Sequence, residues 1–230
     1  MVGALREPCD DPVMADTTTP LTRRYDTVAG RWRDKMRVLG YYDAYLGFLS
    51  APGHQMGGRP RVIDVGAGTG AFSEAWVAVN GPPGSINLLD PSSKMLDTAV
   101  RALGSRGVAG HPIVAMLGRR MAPADVVLAA HILEHCPDPA LALMQMRDLL
   151  MPGGQLFLVV SKPHWCNAII WLQWRHRTFR TPEIAALAEG AGLRIEAEYT
   201  FPSGPPSRTS RGFVLRRNEK GRAKWRGPVR

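Results

Sequence analysis

The sequence predicts an α/β fold: a mostly parallel sheet of seven strands, a C-terminal antiparallel strand pair and an N-terminal helical cap. Three observations predict it. Short apolar runs alternate with amphipathic segments from residue 61 to residue 160, and that alternation specifies a mostly parallel sheet covered on both faces. The run Val62-Ile63-Asp64-Val65 passes directly into Gly66-Ala67-Gly68-Thr69-Gly70, a strand, a glycine turn and then a helix start near Ala71. Finally, Leu193–Thr200 and Ser210–Arg217 are strand-like and joined by a Pro/Gly/Ser loop at 202–207, which favours an antiparallel pair.

Taken in order, residues 1–20 contain Pro8, Pro12, Pro20 and a threonine run, the composition of a disordered lead. From residue 21 to residue 50, Tyr25, Val28, Trp32, Met36, Leu39 and Tyr42 recur at three- and four-residue steps, so one helical face is apolar. Gly40 divides this cap into two helices. It either packs plainly against the body or forms a lid, with Tyr25, Trp32, Tyr41, Tyr42 and Tyr45 as aromatic walls. Residues 51–60 form a loop.

Strand one is Arg61–Val65, followed by a helix over Ala71–Val79. Strand two, Ile86–Leu89, ends in Asp90. Pro91-Ser92 opens a helix through Leu103. His111–Met116 and Asp125–Ala130 are strands three and four, Pro137–Leu150 is helical, and Pro152-Gly153-Gly154 is a tight turn into strand five, Gln155–Val160. Residues 163–191 are a helical insert rich in tryptophan, and 218–230 are a basic tail. The catalytic body spans 21–217.

Composition narrows the setting. At 230 residues with 45% hydrophobic side chains, the chain fits one packed domain with trimmings. Cys9, Cys136 and Cys166 are odd in number and form no Cys-x-x-Cys pair. That argues against a disulfide framework or a thiolate zinc site and for a reducing compartment. No apolar run approaches the ~20 residues that span a bilayer, and Glu7, Asp10 and Asp11 do not suit a secretory signal. The expected location is cytoplasmic, with membrane association left open. The net charge is +9, and Arg208–Arg230 carries nine Lys or Arg against Glu219 alone. The basicity therefore belongs to the C-terminal end, either as a solvated tail or as a patch for anionic lipid or nucleic acid.

Two constellations carry chemistry. The glycine turn with Asp90 is the first. Glycines let the main chain approach a ligand closely, and free N–H groups at a helix N-terminus suit a polar or anionic one. A carboxylate at the end of strand two accepts hydrogen bonds from ribose hydroxyls. Alone this signal marks a nucleotide-like cofactor without choosing among them. The second is His131-Ile132-Leu133-Glu134-His135. By letter it matches an inverted zinc-protease signature, but that motif needs both histidines on one helical face, and here His131 ends a strand. No metal is expected; a polar strand-to-helix turn facing the crevice is.

The ordered set Asp64-x-Gly66-x-Gly68-x-Gly70, Asp90, Leu133-Glu134-His135 and Leu150-Met151-Pro152-Gly153-Gly154 resembles the class I S-adenosylmethionine-dependent methyltransferases that modify small molecules and lipids. So does Phe179–Glu183 with Gly190–Leu193, and the similarity spans roughly residues 22–217. The resemblance implies a Rossmann-like fold, with S-adenosylmethionine as cofactor and S-adenosylhomocysteine as product. It implies that Gly66, Ala67, Gly68 and Gly70 lie against the methionine moiety, Asp64 near its amino group, Asp90 on the ribose and Met95 beside the adenine. Ala130 and His131 would line the crevice near the sulfonium. Many relatives carry an acidic residue after strand three, where this chain has Met116 and Leu117, so the adenine amino group would rely on main-chain carbonyls or water there.

Transfer from a sulfonium needs mainly alignment and exclusion of water. A base helps when the acceptor is an amine or hydroxyl, and His131, His135 and His164 are the candidates, each with an ordinary structural reading beside it. Tyr25, Trp32, Trp165 and Trp171 are the substrate candidates. The Trp165–Trp174 segment, followed by Arg175, His176 and Arg177, suits packing, an apolar pocket, or a helix resting on an anionic membrane. The readings carried forward are a methyltransferase acting on a small or amphiphilic acceptor, a lipid-headgroup methyltransferase at a membrane surface, and a non-catalytic S-adenosylmethionine-binding protein. A nicotinamide-dependent reductase fits Asp64 and the closing strand pair poorly. The core lacks the basic stripe of a nucleic-acid binder.

Overall fold

The computed structural model of the chain describes residues 33–164 and 177–218. The expected lead, Tyr25 and Trp32 of the cap, the aromatic segment with Trp165 and Trp171, and the tail from 219 onward lie outside the described residues. A helical stretch over 33–38 leads into α1 (Tyr41–Leu49). The chain continues as β1 (Arg61–Val65), α2 (Ala71–Asn80), β2 (Ser85–Asp90), α3 (Ser93–Gly104), β3 (Gly110–Val114) and β4 (Ala124–Ala130). A single 3-10 turn, Leu133–His135, precedes α4 (Pro139–Asp148) and β5 (Leu150–Ser161). It closes with α5 (Thr181–Gly190), β6 (Leu193–Tyr199), α6 (Gly204–Thr209) and β7 (Ser210–Arg217).

The seven strands form one sheet in the order β3-β2-β1-β4-β5-β7-β6. Strands β1 to β5 pair in parallel, and β7 runs antiparallel to both neighbours. This is the mostly parallel sheet expected from the alternation of elements, in the Rossmann-like arrangement that the family resemblance implies. Parallel strands covered on both faces bury nearly every position and are close to continuously apolar. Accordingly Val62–Val65 are all buried, and Val126–Ala129 likewise. On one face Ile63, Val127 and Leu158 pack with Leu143, Met146 and Ile184 of α4 and α5. On the other, Val62, Val126 and Phe157 pack with Phe48, Trp76 and Leu96 of α1, α2 and α3. Among the described residues, no helix is long and apolar enough to cross a membrane.

Element ends follow local chemistry. The Ser92 side chain accepts from Met95 N–H, so Ser92 is the cap of α3 rather than its first turn. Asp138 caps α4 through Ala140 and Leu141 N–H, which moves the expected start from Pro137 to Pro139. The Pro152-Gly153-Gly154 turn lies within β5, as a bulge where pairing with β4 shifts from Ala124–Leu150 to Val126–Gln155. The expected loop at 202–207 instead runs into a short helix, Gly204–Thr209, with Pro205 and Pro206 in a first turn that has no need of their missing N–H groups.

The described end of the cap, α1, is part of the core. Phe48 and Leu49 of α1 are fully buried, and Phe48 lies so close to β7 that a Cβ at Gly212 would sit 3.0 Å from its ring. The preceding helical stretch is held by charge. The buried Glu74 carboxylate of α2 accepts from Arg33 (2.6 Å), Arg37 (2.9 Å) and Arg106 (3.1 Å). Arg33 also donates to Thr69 O in the glycine turn at 3.1 Å. One carboxylate thus joins cap, α2 and the end of α3. Glu74→Ala is expected to destabilise the fold by about 2 kcal/mol, below the ~3–5 kcal/mol of a fully buried broken pair because the guanidinium groups can return to water. Chemical denaturation with the tryptophan signal checks this; a change under about 0.5 kcal/mol would contradict it.

Candidate functional site

The C-terminal ends of the parallel strands and the start of antiparallel β7 share one rim of the sheet, where Ser161 pairs with Ser210. Ligands of open α/β sheets bind beyond such a rim. The glycine turn leaves β1 there and is tied to β2: Gly66 and Ala67 N–H both donate to Leu89 O, at 2.8 and 3.1 Å. Asp90 ends β2. Its Oδ2 accepts from Gly68 N–H at 2.9 Å and its Oδ1 from Ser92 N–H at 2.8 Å. These bonds fix the carboxylate against the turn, and each carboxylate oxygen has lone-pair capacity beyond one N–H donor.

The three glycines of the turn all have positive φ, at 67°, 52° and 79°, yet their surroundings differ. A Cβ at Gly66 would lie 2.6 Å from Ile132 Cδ1, and one at Gly70 would lie 2.9 Å from Ala99 Cα of α3. At Gly68 the nearest atom would be Gly66 O, 3.9 Å away. Gly66 and Gly70 are small for the protein's own packing. Among the described residues, nothing closer than Gly66 O fills the side-chain direction at Gly68, which lies next to Asp90. Ala67 is buried between them.

Asp64 is 1% exposed, and its Oδ2 accepts from Ser73 Oγ at 2.5 Å in the first turn of α2. Burial pushes its carboxyl up to about 7, partly opposed by the Ser73 hydrogen bond and reinforced by the Asp90 charge. A carboxyl so placed gains from a cation beside it. Met95 is buried in the first turn of α3, Met116 is largely exposed just beyond β3, and Leu117 and Ala130 are partly buried at the same rim. Residues from β1, β2, β3 and β4 that the sequence reading grouped therefore share one edge of the fold.

His131 follows β4 and is the sole non-glycine residue with positive φ (56°) among those described. Its Nδ1 lies 3.0 Å from Glu134 Oε1 and 3.3 Å from Ser161 Oγ, and its Nε2 is 3.5 Å from Ser210 Oγ. Tyr41 meets the imidazole edge-on at 5.6 Å, and its hydroxyl is 3.0 Å from Thr209 Oγ1. His135 lies in the adjoining turn, where burial lowers its pKa against the opposing pull of Glu134. His164 stands three residues beyond β5 and is partly buried. Cys136, beside the turn, is pushed up to about 11 by burial, so it holds its proton at neutral pH. Among the described residues, no three His, Cys, Asp or Glu side chains are placed to share a metal ion.

Of the described cap tyrosines, Tyr41 alone has a ring contact with His131. Tyr45 is buried against Phe72 at 4.8 Å, and Tyr42 faces Arg37 and Arg106. The sequence reading gave no role to Ser161, Ser210, Ser73 or Tyr41's hydroxyl. The one available signal was polar residues closing apolar strands at the rim.

The arrangement can hold a ribose-bearing, cationic cofactor at Asp90 and Asp64 and present a histidine to a second ligand. A family model described as a methyltransferase domain matches residues 63–156. The ubiquinone/menaquinone biosynthesis C-methyltransferase UbiE of Pasteurella multocida is 29% identical over 66% of this chain and 66% of its own length. A ubiquinone biosynthesis O-methyltransferase of Xylella fastidiosa is 35% identical over 59% of this chain and 61% of its own. The chain thus spans under two thirds of the length of these curated relatives. Among solved structures, the magnesium protoporphyrin IX methyltransferase of Synechocystis PCC 6803 with bound S-adenosylhomocysteine superposes with TM-score 0.68 at 18% identity, over 89% of this chain and all of that one.

Proposed function

The chain belongs to the class I S-adenosylmethionine-dependent methyltransferases, and from that premise we propose that it methylates a small or amphiphilic acceptor directly from S-adenosylmethionine. The observation that carries the reading is the joint placement of Asp90, the open side of Gly68 and buried Asp64 on one rim. When bound, the cofactor supplies an electrophilic methyl group on a sulfonium. The chain's own residues bind, orient and exclude water. Asp90 receives the ribose hydroxyls, Asp64 faces the ammonium, and Gly66, Ala67, Gly68 and Gly70 line the methionine part. Met95, Met116 and Leu117 border the adenine, and Ala130 and His131 border the reacting end. His131, at the end of β4 on this rim, is the first candidate to accept a proton from a hydroxyl or amine acceptor, and His135 and His164 are the other two.

The relatives are methyltransferases of ubiquinone and menaquinone biosynthesis and of magnesium protoporphyrin IX, which supports an aromatic or quinone-like acceptor. A thermal-shift comparison of S-adenosylmethionine, S-adenosylhomocysteine and NADH tests the cofactor. A rise with NADH alone would sink the reading. Transfer of labelled methyl into a lysate extract, sorted into aqueous and lipid phases, then separates a small-molecule enzyme, a lipid-headgroup enzyme and a non-catalytic binder. Asp90→Ala is expected to weaken S-adenosylmethionine binding about tenfold or more, since it deletes charge-assisted hydrogen bonds worth ~1.5–3 kcal/mol and frees the turn. Calorimetry checks it, and unchanged affinity would remove Asp90 from the site.

A further inference from the structure

We infer that Glu134 is a positioning residue: it fixes the tautomer and orientation of His131 so that Nε2, not Nδ1, is the proton-accepting nitrogen at the rim. The inference rests on the proposed methyltransferase reading and extends it to acceptors that must lose a proton, a hydroxyl or an N–H.

The geometry is specific. Glu134 Oε1 receives two N–H donors, His131 Nδ1 at 3.0 Å and the Ser161 main chain at 2.5 Å. Its side chain is fully buried, whereas that of His131 keeps 21% exposure. An oxygen that accepts the Ser161 N–H so closely is an acceptor toward the imidazole too, so Nδ1 carries the hydrogen. Nε2 then presents a lone pair, approached by Ser210 Oγ at 3.5 Å. Ser161 Oγ, 3.3 Å from Nδ1, is the more distant partner on that side. The imidazole is also held from behind. His131 N–H donates to Val159 O at 2.8 Å, its φ is 56°, and Tyr41 bounds the ring. Non-glycine residues keep such backbone angles where their surroundings over-determine them.

The chemistry follows. As the acceptor oxygen or nitrogen forms its bond to the methyl carbon, the sulfonium–methyl bond breaks and its electron pair stays on sulfur as a neutral thioether. Nε2 takes the acceptor's proton, and the resulting imidazolium, with Nδ1–H still on the Glu134 carboxylate, returns it to water. Among the described residues, the side chains facing His131 are Glu134, Ser161, Ser210 and Tyr41, with His135 in the adjoining turn.

Long-range proton–nitrogen NMR of the full chain above pH 8 decides the point, with the His131 signals identified by their loss in His131→Asn. The expected wild-type spectrum shows Nδ1 protonated and Nε2 bare; the opposite tautomer as the major form overturns the inference. Glu134→Ala is expected to give both tautomers in comparable amounts. Glu134→Gln keeps an acceptor oxygen but no charge, so it should retain the wild-type tautomer and lower labelled-methyl turnover at least tenfold, with S-adenosylmethionine affinity within twofold. If Glu134→Ala does not fold, the wild-type and Glu134→Gln spectra stand in its place. An unmoved tautomer in folded Glu134→Ala overturns the positioning role. If no protic acceptor is methylated, the functional reading fails while the tautomer measurements still judge Glu134.

Discussion

Gly68→Val is expected to abolish S-adenosylmethionine binding while leaving the chain folded. Its effect separates from those of its neighbours because of what surrounds each glycine. At Gly70 a side chain would meet the backbone of α3, 2.9 Å from Ala99 Cα, so a substitution there damages helix packing before it touches any ligand. At Gly66 the obstacle is the Ile132 side chain, its Cδ1 at 2.6 Å and its Cβ at 3.1 Å, so a substitution there also meets the protein first. At Gly68 no atom of the described residues comes closer than Gly66 O at 3.9 Å. The valine branches would enter the space beside Asp90, and a β-branched residue at φ 52° adds strain of ~1–3 kcal/mol. The turn would also lose alignment for the Gly68 N–H bond to Asp90. The expected result is a dissociation constant raised at least a hundredfold with a modest fall in melting temperature. Calorimetry with S-adenosylmethionine, beside a melt of the free protein, checks both. Retained binding in the folded variant would place the cofactor elsewhere.

The same three glycines show what the sequence could and could not convey. Their spacing marks a turn after a buried strand, and the mostly parallel sheet around it follows from the alternation of apolar runs; the strand order does not. Which glycine serves a ligand depends on Ala99 and Ile132, residues 29 and 62 positions beyond Gly70, and chain-local patterning does not encode that approach. His131 was legible as a polar residue ending an apolar strand. Its partners were not, because Ser161 and Ser210 reach it only through the pairing of β5 with an antiparallel β7. Tyr41, Tyr42 and Tyr45 fall on one helical segment and looked equivalent. Burial against Phe72 claims Tyr45, the arginines around Glu74 claim Tyr42, and Tyr41 remains at the rim. Element boundaries moved where a side chain caps a helix, as at Ser92 and Asp138, or where glycine permits a bulge, as at Gly153.

S-adenosylmethionine binding is expected to release a proton and to strengthen as pH rises toward 7, through Asp64. Burial is the main reason its carboxyl is raised to about 7; a carboxyl in the unfolded chain titrates near 3.9. Between those values the folded protein binds the extra proton. The unfolding free energy therefore falls as pH rises through the window, by roughly 4 kcal/mol at about 1.4 kcal/mol per pH unit. An ammonium group beside the carboxyl reverses the preference, because it stabilises the ionised form. Cofactor binding then requires loss of that proton below pH 7, and affinity should drop about 25-fold from pH 7.5 to pH 5.5. Asp64→Asn keeps an acceptor for Ser73 Oγ but cannot ionise. The variant should bind roughly ten- to a hundredfold more weakly at pH 7.5, the worth of a charge-assisted hydrogen bond. Its affinity should be nearly flat with pH, and without ligand it should be more stable than wild type above pH 7. Calorimetry in two buffers of different ionisation enthalpy counts the released proton directly. Equal pH dependence in wild type and Asp64→Asn would show that the carboxyl buried beneath the glycine turn serves packing and Ser73 alone.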